Sequence, residues 1–271
     1  MPTRSQLDAA LARYPEALSL RAKASKSSAE LVELDDWYRS ELRTTVRERR
    51  QQKRDEAHAS SETPEWLSKD ELSRLMQWKL ARGKWRPRLQ DMVATNSAED
   101  VRVTTSRAAT DSDHEAALKE LSKLKAVGPA TASAILALWY PDSEPFMSDE
   151  GLDYAAALGP GDEGKKPKRD YTVKAWRVYR DEMLERKEKE GWSSVDELEK
   201  AIWAWVVLRK YGAAAEEDDD GTATATATGG AAVKEEEEAA LTIDANASRK
   251  SRKRGAHVEA VASQGKKRKS T

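Results

Sequence analysis

The sequence predicts an all-α fold, for three reasons. Apolar residues recur at helical spacing in one segment after another, and no segment has the convincing alternation of a strand. The connections between these segments are short, as in compact helical domains, so we expect roughly eight to ten helices. Nine tryptophans all fall between Trp37 and Trp205, and they indicate the extent of the folded part.

Composition narrows the classes of function. The chain has 271 residues, enough for one or two domains. Its hydrophobic share of 38%, its charged share of 35% and its mean hydropathy of −0.82 predict a globular part with disordered extensions. Because cysteine is absent, disulfides, thiolate zinc sites, iron–sulfur clusters and cysteine nucleophiles are excluded. A net charge of −1 means that any nucleic-acid surface must be a local patch.

Neither a cofactor nor a membrane is expected. The three histidines, His58, His114 and His257, are too scattered for a metal site or a catalytic triad. No nucleotide-binding fingerprint occurs. The N-terminus lacks the apolar core of a signal peptide, and the longest apolar-rich run, residues 130–140, is too short to span a membrane. We therefore expect a soluble intracellular protein without a metal or cofactor.

The first elements along the chain are helical. Residues 1–27 have helical composition with only modest periodicity, and we interpret them as an N-terminal helical extension. A stronger helix begins at Leu31 and continues through Val46. Its polar end, residues 47–54, is either a solvated helix end or an arm that contacts phosphates. Residues 55–63 are interpreted as a linker.

The next unit begins with Ser68 and Glu71, whose spacing predicts a capping box before an amphipathic helix. Gly83 ends that helix, and Pro87 suits the start of another. The turn between them contains Arg82, Lys84, Trp85 and Arg86. Two interpretations of this turn stay open. Either the cations grip a nucleic-acid backbone while the indole stacks on a base, or the tryptophan plugs the core of a tight helical turn.

Two short helices joined by a tight turn form the centre of the chain. On the first helix, leucines recur at three-residue spacing from Leu118 to Leu124. The second carries an apolar stripe that ends at Trp139. In the turn between them, Gly128 permits a positive φ or a close backbone approach, and Pro129 suits the first position of a helix. The pattern therefore predicts a helical hairpin over residues 121–136.

This turn resembles the helix-hairpin-helix motif of the DNA glycosylase superfamily (the HhH-GPD type). The resemblance implies that backbone N–H groups of the turn, and the positive end of the following helix, hold a DNA phosphate without reading bases. The residues expected to contact DNA are Lys123, Lys125, Val127, Gly128, Ala130 and Thr131. The family usually has a glycine on each side of the central hydrophobe. Ala126 stands where the first would be, which leaves less room for the backbone to approach a phosphate.

The resemblance also implies a candidate catalytic residue. In the family, a Gly/Pro-rich loop after the hairpin carries an essential aspartate at the start of a helix, and Asp149 stands at that place. By this resemblance Asp149 stabilises an oxocarbenium-like sugar, or positions a water, as a flipped base leaves. Bifunctional members carry a lysine where this chain has Ala130, so lyase chemistry is not expected. The alternative is that Asp149 belongs to an ordinary helix start behind Ser148.

The motif match covers residues 121–150, and the match as a fold covers residues 28–212, which we take as the folded domain. Residues 213–271 are expected to form a disordered tail, because acidic runs and an Ala-Thr repeat cannot bury a core. Two basic clusters in this tail resemble a nuclear localisation signal, and the alternative is a non-specific solvated tail. The cluster residues are Arg249, Lys250, Arg252, Lys253, Arg254, Lys266, Lys267, Arg268 and Lys269.

These features predict a nuclear, all-α protein that binds the phosphate backbone of DNA, without sequence specificity, through a glycosylase-like fold. Whether it is an enzyme stays open. As an enzyme it would be a monofunctional DNA N-glycosylase that uses Asp149. The alternative is a catalytically inactive helical adaptor in a chromatin or repair complex, with the charged tail recruiting nuclear proteins. A third hypothesis is a helical scaffold that binds only proteins.

Overall fold

The fold consists of packed helices. The computed structural model describes residues 1–55, 66–157 and 169–212, and every regular element in these ranges is helical, which confirms the predicted all-α class. Numbered in chain order, the helices are α1 (Arg4–Ala12), α2 (Tyr14–Lys23), α3 (Leu31–Asp36), α4 (Arg43–Asp55), α5 (Lys69–Arg82), α6 (Pro87–Val93), α7 (Ala98–Thr110), α8 (His114–Leu121), α9 (Pro129–Trp139), α10 (Asp149–Ala156), α11 (Val173–Glu190) and α12 (Val195–Val207). A π-helical turn, Trp37–Leu42, joins α3 to α4.

The tail predicted over residues 213–271 lies outside the described residues, and so do both of its basic clusters. Most of the linker predicted over residues 55–63 lies outside them as well. In the part of the chain that the structure describes, no helix has the length and apolar character needed to cross a bilayer.

The two N-terminal helices share the core of the rest of the chain. Both α1 and α2 pack on α12. Leu7 and Ala17 are fully buried, and the ring of Tyr14 lies 5.5 Å from that of Trp203. Residues 1–27 are therefore part of the folded core and not a separate extension. Their periodicity in the sequence is modest because small alanines supply much of the buried face.

Helix boundaries follow the capping signals of the sequence. The capping box at the start of α5 is present: Oγ of Ser68 accepts a hydrogen bond from the Glu71 N–H (3.1 Å), and the Glu71 carboxylate accepts one from the Ser68 N–H (2.8 Å). Pro87 opens α6, and the side chain of Ser194 caps α12. Gly191 ends α11 in the left-handed conformation, with a φ of +69°. Local sequence thus determines where these helices begin and end.

The centre of the core is α5, which fixes the hairpin's second helix in place. The Trp78 ring of α5 stacks on Tyr38 with the centroids 3.8 Å apart, and its Nε1 donates to Oδ1 of Asp35 (2.8 Å). Tyr38 in turn donates its hydroxyl proton to the Ala134 carbonyl of α9 (2.7 Å). Because all these groups are buried, the orientation of α9 depends on them.

Candidate nucleic-acid interface

The predicted hairpin forms between α8 and α9. Leu118, Leu121 and Leu124 are buried on its first side, and α9 is buried along its whole length. The connecting turn closes on itself, because the Val127 N–H donates to the Leu124 carbonyl at 3.1 Å. The turn and the start of α9 therefore rest on a packed base.

Ala126 has the backbone of a glycine position. Its φ is +62°, the only positive φ of a non-glycine residue in the described part of the chain. An L side chain in this conformation costs roughly 1–2 kcal/mol. Buried Asn96 holds the preceding residue, since its Oδ1 accepts from the Lys125 N–H (2.9 Å) and its Nδ2 donates to the Lys125 carbonyl (3.1 Å). Asn96 lies between two helices, 29 positions before Lys125, and the sequence alone gives no sign of this contact.

The backbone N–H groups of Gly128 and Ala130 lie at the start of α9. Neither donates a hydrogen bond to any described residue. Gly128 is exposed, and a Cβ built on it would meet no atom within 4 Å. The N–H groups of Val127 and Thr131 are engaged, and the Thr131 side chain is buried. Among the backbone N–H groups expected to bind a phosphate, only those of Gly128 and Ala130 are therefore free to do so within the described part of the chain.

The two lysines of the turn differ in their surroundings. The ammonium group of Lys123 contacts the Glu120 carboxylate, although the Lys123 side chain is 66% exposed. Lys125 is exposed and forms no ion pair with a described residue. Lys125 is therefore the turn's more available cation.

Among the cations expected in the turn after α5, Arg82 is in the interior. Its guanidinium forms two hydrogen bonds with the Glu199 carboxylate (3.0 and 2.9 Å), and both side chains are 1% exposed. Arg82 is therefore a core residue with almost no exposed surface, and the expectation that it contacts DNA is corrected. Lys84 and Arg86 are exposed, and Trp85 packs partly buried against the core. The contact of Trp85 matches the plug interpretation of this turn.

The buried pair of Arg82 and Glu199 also fixes the start of α10. The Ser148 hydroxyl donates to Oε1 of Glu199 (2.7 Å) and accepts from the Gly151 N–H (3.1 Å), so Ser148 is the cap of this helix. Asp149 follows as the first helical residue. The position of Asp149 therefore depends on an ion pair between α5 and α12.

Asp149 itself is held by two donors from the segment before α11. Its Oδ1 accepts from the Tyr171 hydroxyl (2.7 Å), and its Oδ2 accepts from Nη1 of Arg169 (3.1 Å). The Asp149 side chain is 24% exposed. It is a partly exposed, oriented carboxylate, and this arrangement fits both an ion pair that stabilises the helix start and a carboxylate held for chemistry. Beside it, burial raises the pKa of Glu150 to about 7.

Sequence reasoning missed Lys79, which connects these elements. Its Nζ donates to Oγ1 of Thr131 at 2.9 Å, so the end of α5 meets the start of α9. Burial lowers the pKa of Lys79 to about 8; the charge of Arg86 also lowers it, and the charge of Asp149 raises it. The signal in the sequence was its spacing, because Lys79 follows Leu72 and Leu75 by seven and four residues on the apolar stripe of α5.

Lys79 thus contacts the start of α9 through Thr131, and the charges of Asp149 and Arg86 act on its amine. Within the described ranges, no group of three or more His, Asp or Glu side chains is placed to hold a metal ion. Comparisons with protein-family models, curated proteins and solved structures give no match. The relationship to DNA glycosylases therefore stays a prediction from the motif.

Proposed function

We propose that this protein binds DNA by holding a backbone phosphate at the start of α9. The observation that carries the proposal is the pair of unpaired N–H groups of Gly128 and Ala130, at an open position of the positive end of that helix. Exposed Lys125 adds positive charge in the turn itself, and exposed Lys84 and Arg86 add it in the segment after α5, the helix whose Lys79 contacts Thr131. Contacts of this kind reach phosphates and not base edges, so binding is independent of sequence and weakens with salt.

Substitution of Gly128 tests this proposal. Open space around the residue means that Gly128→Ala and Gly128→Asp should both fold. A carboxylate next to a bound phosphate repels it by roughly 1–4 kcal/mol at 4 Å, so we expect Gly128→Asp to weaken duplex binding by about tenfold or more. Fluorescence anisotropy with a labelled duplex, over a series of salt concentrations, measures the change.

The matched control is Ser112→Asp, which adds the same charge at an exposed position before α8. We expect this variant to bind within about twofold of the parent, because the added charge is screened over the length of α8. Unchanged affinity in Gly128→Asp, with normal unfolding, would mean that the hairpin does not contact the phosphate. Affinity that does not depend on salt would contradict the proposal in the same way.

A second candidate function is monofunctional excision of a damaged base, and the orientation of Asp149 favours it. Tyr171 and Arg169 fix this carboxylate through two hydrogen bonds, and its charge acts on Lys79, whose amine contacts Thr131 of α9. Such a group stabilises positive charge that develops on a sugar as its base departs. We propose Asp149 as the catalytic carboxylate of this activity.

The test uses duplexes that each carry one type of damaged base. After incubation, hot alkali converts abasic sites to strand breaks, which a denaturing gel resolves. Breaks that disappear in Asp149→Asn support excision, and breaks that persist exclude the proposed role of Asp149. Salt-sensitive binding without any breaks across the panel would favour the alternative, a DNA-binding adaptor without catalysis.

A nuclear location is proposed from the two basic clusters of the sequence. Fluorescent fusions of the full chain test it, with Arg252, Lys253 and Arg254 changed together to alanine, or with Lys267, Arg268 and Lys269 changed. We expect the parent to accumulate in the nucleus and the variants to spread through the cell. A parent that stays outside the nucleus would contradict the assignment.

A further inference from the structure

Three cations lie around one buried carboxylate where the π-helical turn and α4 meet the start of α12. The carboxylate is that of Asp196, and the cations are Arg39 in the π-helical turn, Arg43 at the start of α4 and Lys200, one turn after Asp196. Nη1 of Arg39 donates to both carboxylate oxygens, at 2.9 and 3.2 Å. The contacts of Arg43 with Oδ2 are longer, 3.5 and 3.4 Å. These four residues form the α12 charge cluster.

Two of the three cations are incompletely paired. Nε of Arg43 is buried and finds no hydrogen-bond partner in the described part of the chain. Lys200 forms no ion pair with a described residue. Arg39, by contrast, has a second carboxylate, because Oδ2 of Asp35 accepts from its Nε at 3.0 Å. The single charge of Asp196 is therefore left to compensate both Arg43 and Lys200.

The surroundings of Lys200 favour a further anion. Burial lowers the pKa of its amine; the charges of Arg39 and Arg43 lower it as well, and those of Asp196 and Glu197 raise it. Because Asp196 lies in the first turn of α12, the cluster is also at the positive end of that helix. A half-buried ammonium without an ion-pair partner loses hydration that no carboxylate replaces, and a bound anion offsets this loss.

The cations of the cluster are more accessible than the carboxylate. The side chains of Arg39 and Arg43 are 14% and 16% exposed and Lys200 is half-buried, whereas the side chain of Asp196 is 8% exposed. Two guanidinium groups and an ammonium group offer several N–H donors to one tetrahedral anion. Asp196 repels such an anion, but its own charge is already paired with Arg39 through the two shorter hydrogen bonds.

The cluster is separate from the phosphate site proposed at the hairpin. The Asp196 N–H donates to the carbonyl of Pro141 (3.0 Å), which lies just after the last residue of α9. Gly128 lies before the first residue of the same helix. The 11 residues of α9 span roughly 16 Å, so the two sites are at opposite ends of this helix.

We propose that the α12 charge cluster binds a phosphate group through Lys200, Arg43 and Arg39. This site does not depend on the DNA binding proposed above. The phosphate group has two possible sources, a small phosphate such as the free ion and the backbone of a bound nucleic acid. Binding is non-covalent in both cases.

The experiment titrates the full chain with inorganic phosphate in a calorimeter, with sodium chloride added to keep the ionic strength constant. We expect saturable binding to the parent protein. Lys200→Gln removes the ammonium, and we expect it to weaken this binding by about tenfold or more, because a charged hydrogen-bond donor is lost. Gly128→Asp, which alters only the hairpin, should leave the Lys200-dependent binding unchanged.

Two further variants separate binding from a structural role of Lys200. Lys210→Gln is the matched control, because its ammonium lies 5.0 Å from the centroid of a tyrosine ring, as that of Lys200 lies 5.8 Å from the centroid of Tyr14. We expect Lys210→Gln, and also Lys200→Arg, which keeps the charge, to bind phosphate within about twofold of the parent. In chloride alone, Lys200→Gln should have an unchanged or raised Tm, because repulsion from Arg39 and Arg43 is removed.

Fluorescence anisotropy with a labelled duplex distinguishes the two sources. Weaker duplex binding by Lys200→Gln, together with its loss of phosphate binding, identifies the nucleic-acid backbone as the source. Unchanged duplex binding with the same loss identifies a small phosphate. The proposal is overturned if the parent shows no saturable phosphate binding, if Lys200→Gln binds phosphate as the parent does, or if Gly128→Asp alone abolishes the binding. A failure of DNA binding at the hairpin leaves the cluster's phosphate binding standing.

Discussion

Replacement of Ala126 by glycine is the sharpest test of the hairpin geometry. Glycine adopts the left-handed backbone of this position without strain, which adds roughly 1–2 kcal/mol to the unfolding free energy. The greater entropy of glycine in the unfolded chain costs roughly 0.4–1 kcal/mol, and loss of a partly buried methyl group costs less than about 0.8 kcal/mol. The net expectation for Ala126→Gly is stabilisation by about 0.5 kcal/mol, which raises the Tm by roughly 1–2 °C in a chain of this size.

The same chemical change elsewhere on the hairpin provides the comparison. Ala116 lies inside α8 with an ordinary helical backbone. There, alanine to glycine costs roughly 0.5–1 kcal/mol and lowers the Tm by roughly 1–4 °C. Differential scanning calorimetry should therefore show a raised Tm for Ala126→Gly and a lowered Tm for Ala116→Gly. Equal destabilisation by Ala126→Gly and Ala116→Gly would show that Ala126 is not in the left-handed conformation in solution.

Three further predictions follow from buried polar groups. Asn96→Ala should lower the unfolding free energy by roughly 1–3 kcal/mol and weaken DNA binding, because two hydrogen bonds to the turn are lost; urea titration and anisotropy measure both effects. Arg82→Met should lower the unfolding free energy by roughly 3–5 kcal/mol, because Glu199 is left unpaired in the core. Lys79→Met should leave the unfolding free energy unchanged or raise it, because Lys79 has only a neutral partner. Urea titrations measure both variants. Burial raises the pKa of Asp196, but Arg39 and Arg43 lower it further, to about 2. The ionised Asp196 therefore contributes its full share to the unfolding free energy above about pH 4, and this contribution is lost as the pH falls toward 2. Acid titrations followed by circular dichroism should show this loss in the parent protein and not in Asp196→Asn.

Helix ends were predictable from the sequence because they depend on neighbouring residues. Ser68 with Glu71, Pro87 and Gly191 each act through hydrogen bonds or backbone conformations within a few positions of themselves. The turn of the hairpin was predictable for the same reason. The left-handed φ of Ala126 was not, because alanine rarely adopts it, and the support comes from Asn96, 30 positions earlier.

The candidate site could be predicted only in part, because the sequence does not show whether a cationic side chain is buried in the core or exposed at the surface. Arg82 and Arg86 stand in one turn with similar neighbours, yet one is 1% exposed and the other is exposed. The difference arises from Glu199, more than a hundred positions away, which offers a carboxylate to Arg82 alone. Lys79 was missed because its partner, Thr131, lies on another helix and carries no charge.

The contrast between Arg82 and Lys79 shows how the partner of a cation decides whether its loss of hydration is compensated. They lie three residues apart on one face of α5; Arg82 is buried and Lys79 is half-buried, so both lose hydration on folding. For Arg82 the loss is offset by two charge-assisted hydrogen bonds to Glu199, so its burial is explained by structure alone. For Lys79 a single neutral hydroxyl offsets it incompletely, and the lowered pKa is the consequence. An apolar residue at position 79 would complete the stripe of α5 at less cost, and for this reason we expect Lys79→Met to be neutral or stabilising, unlike Arg82→Met.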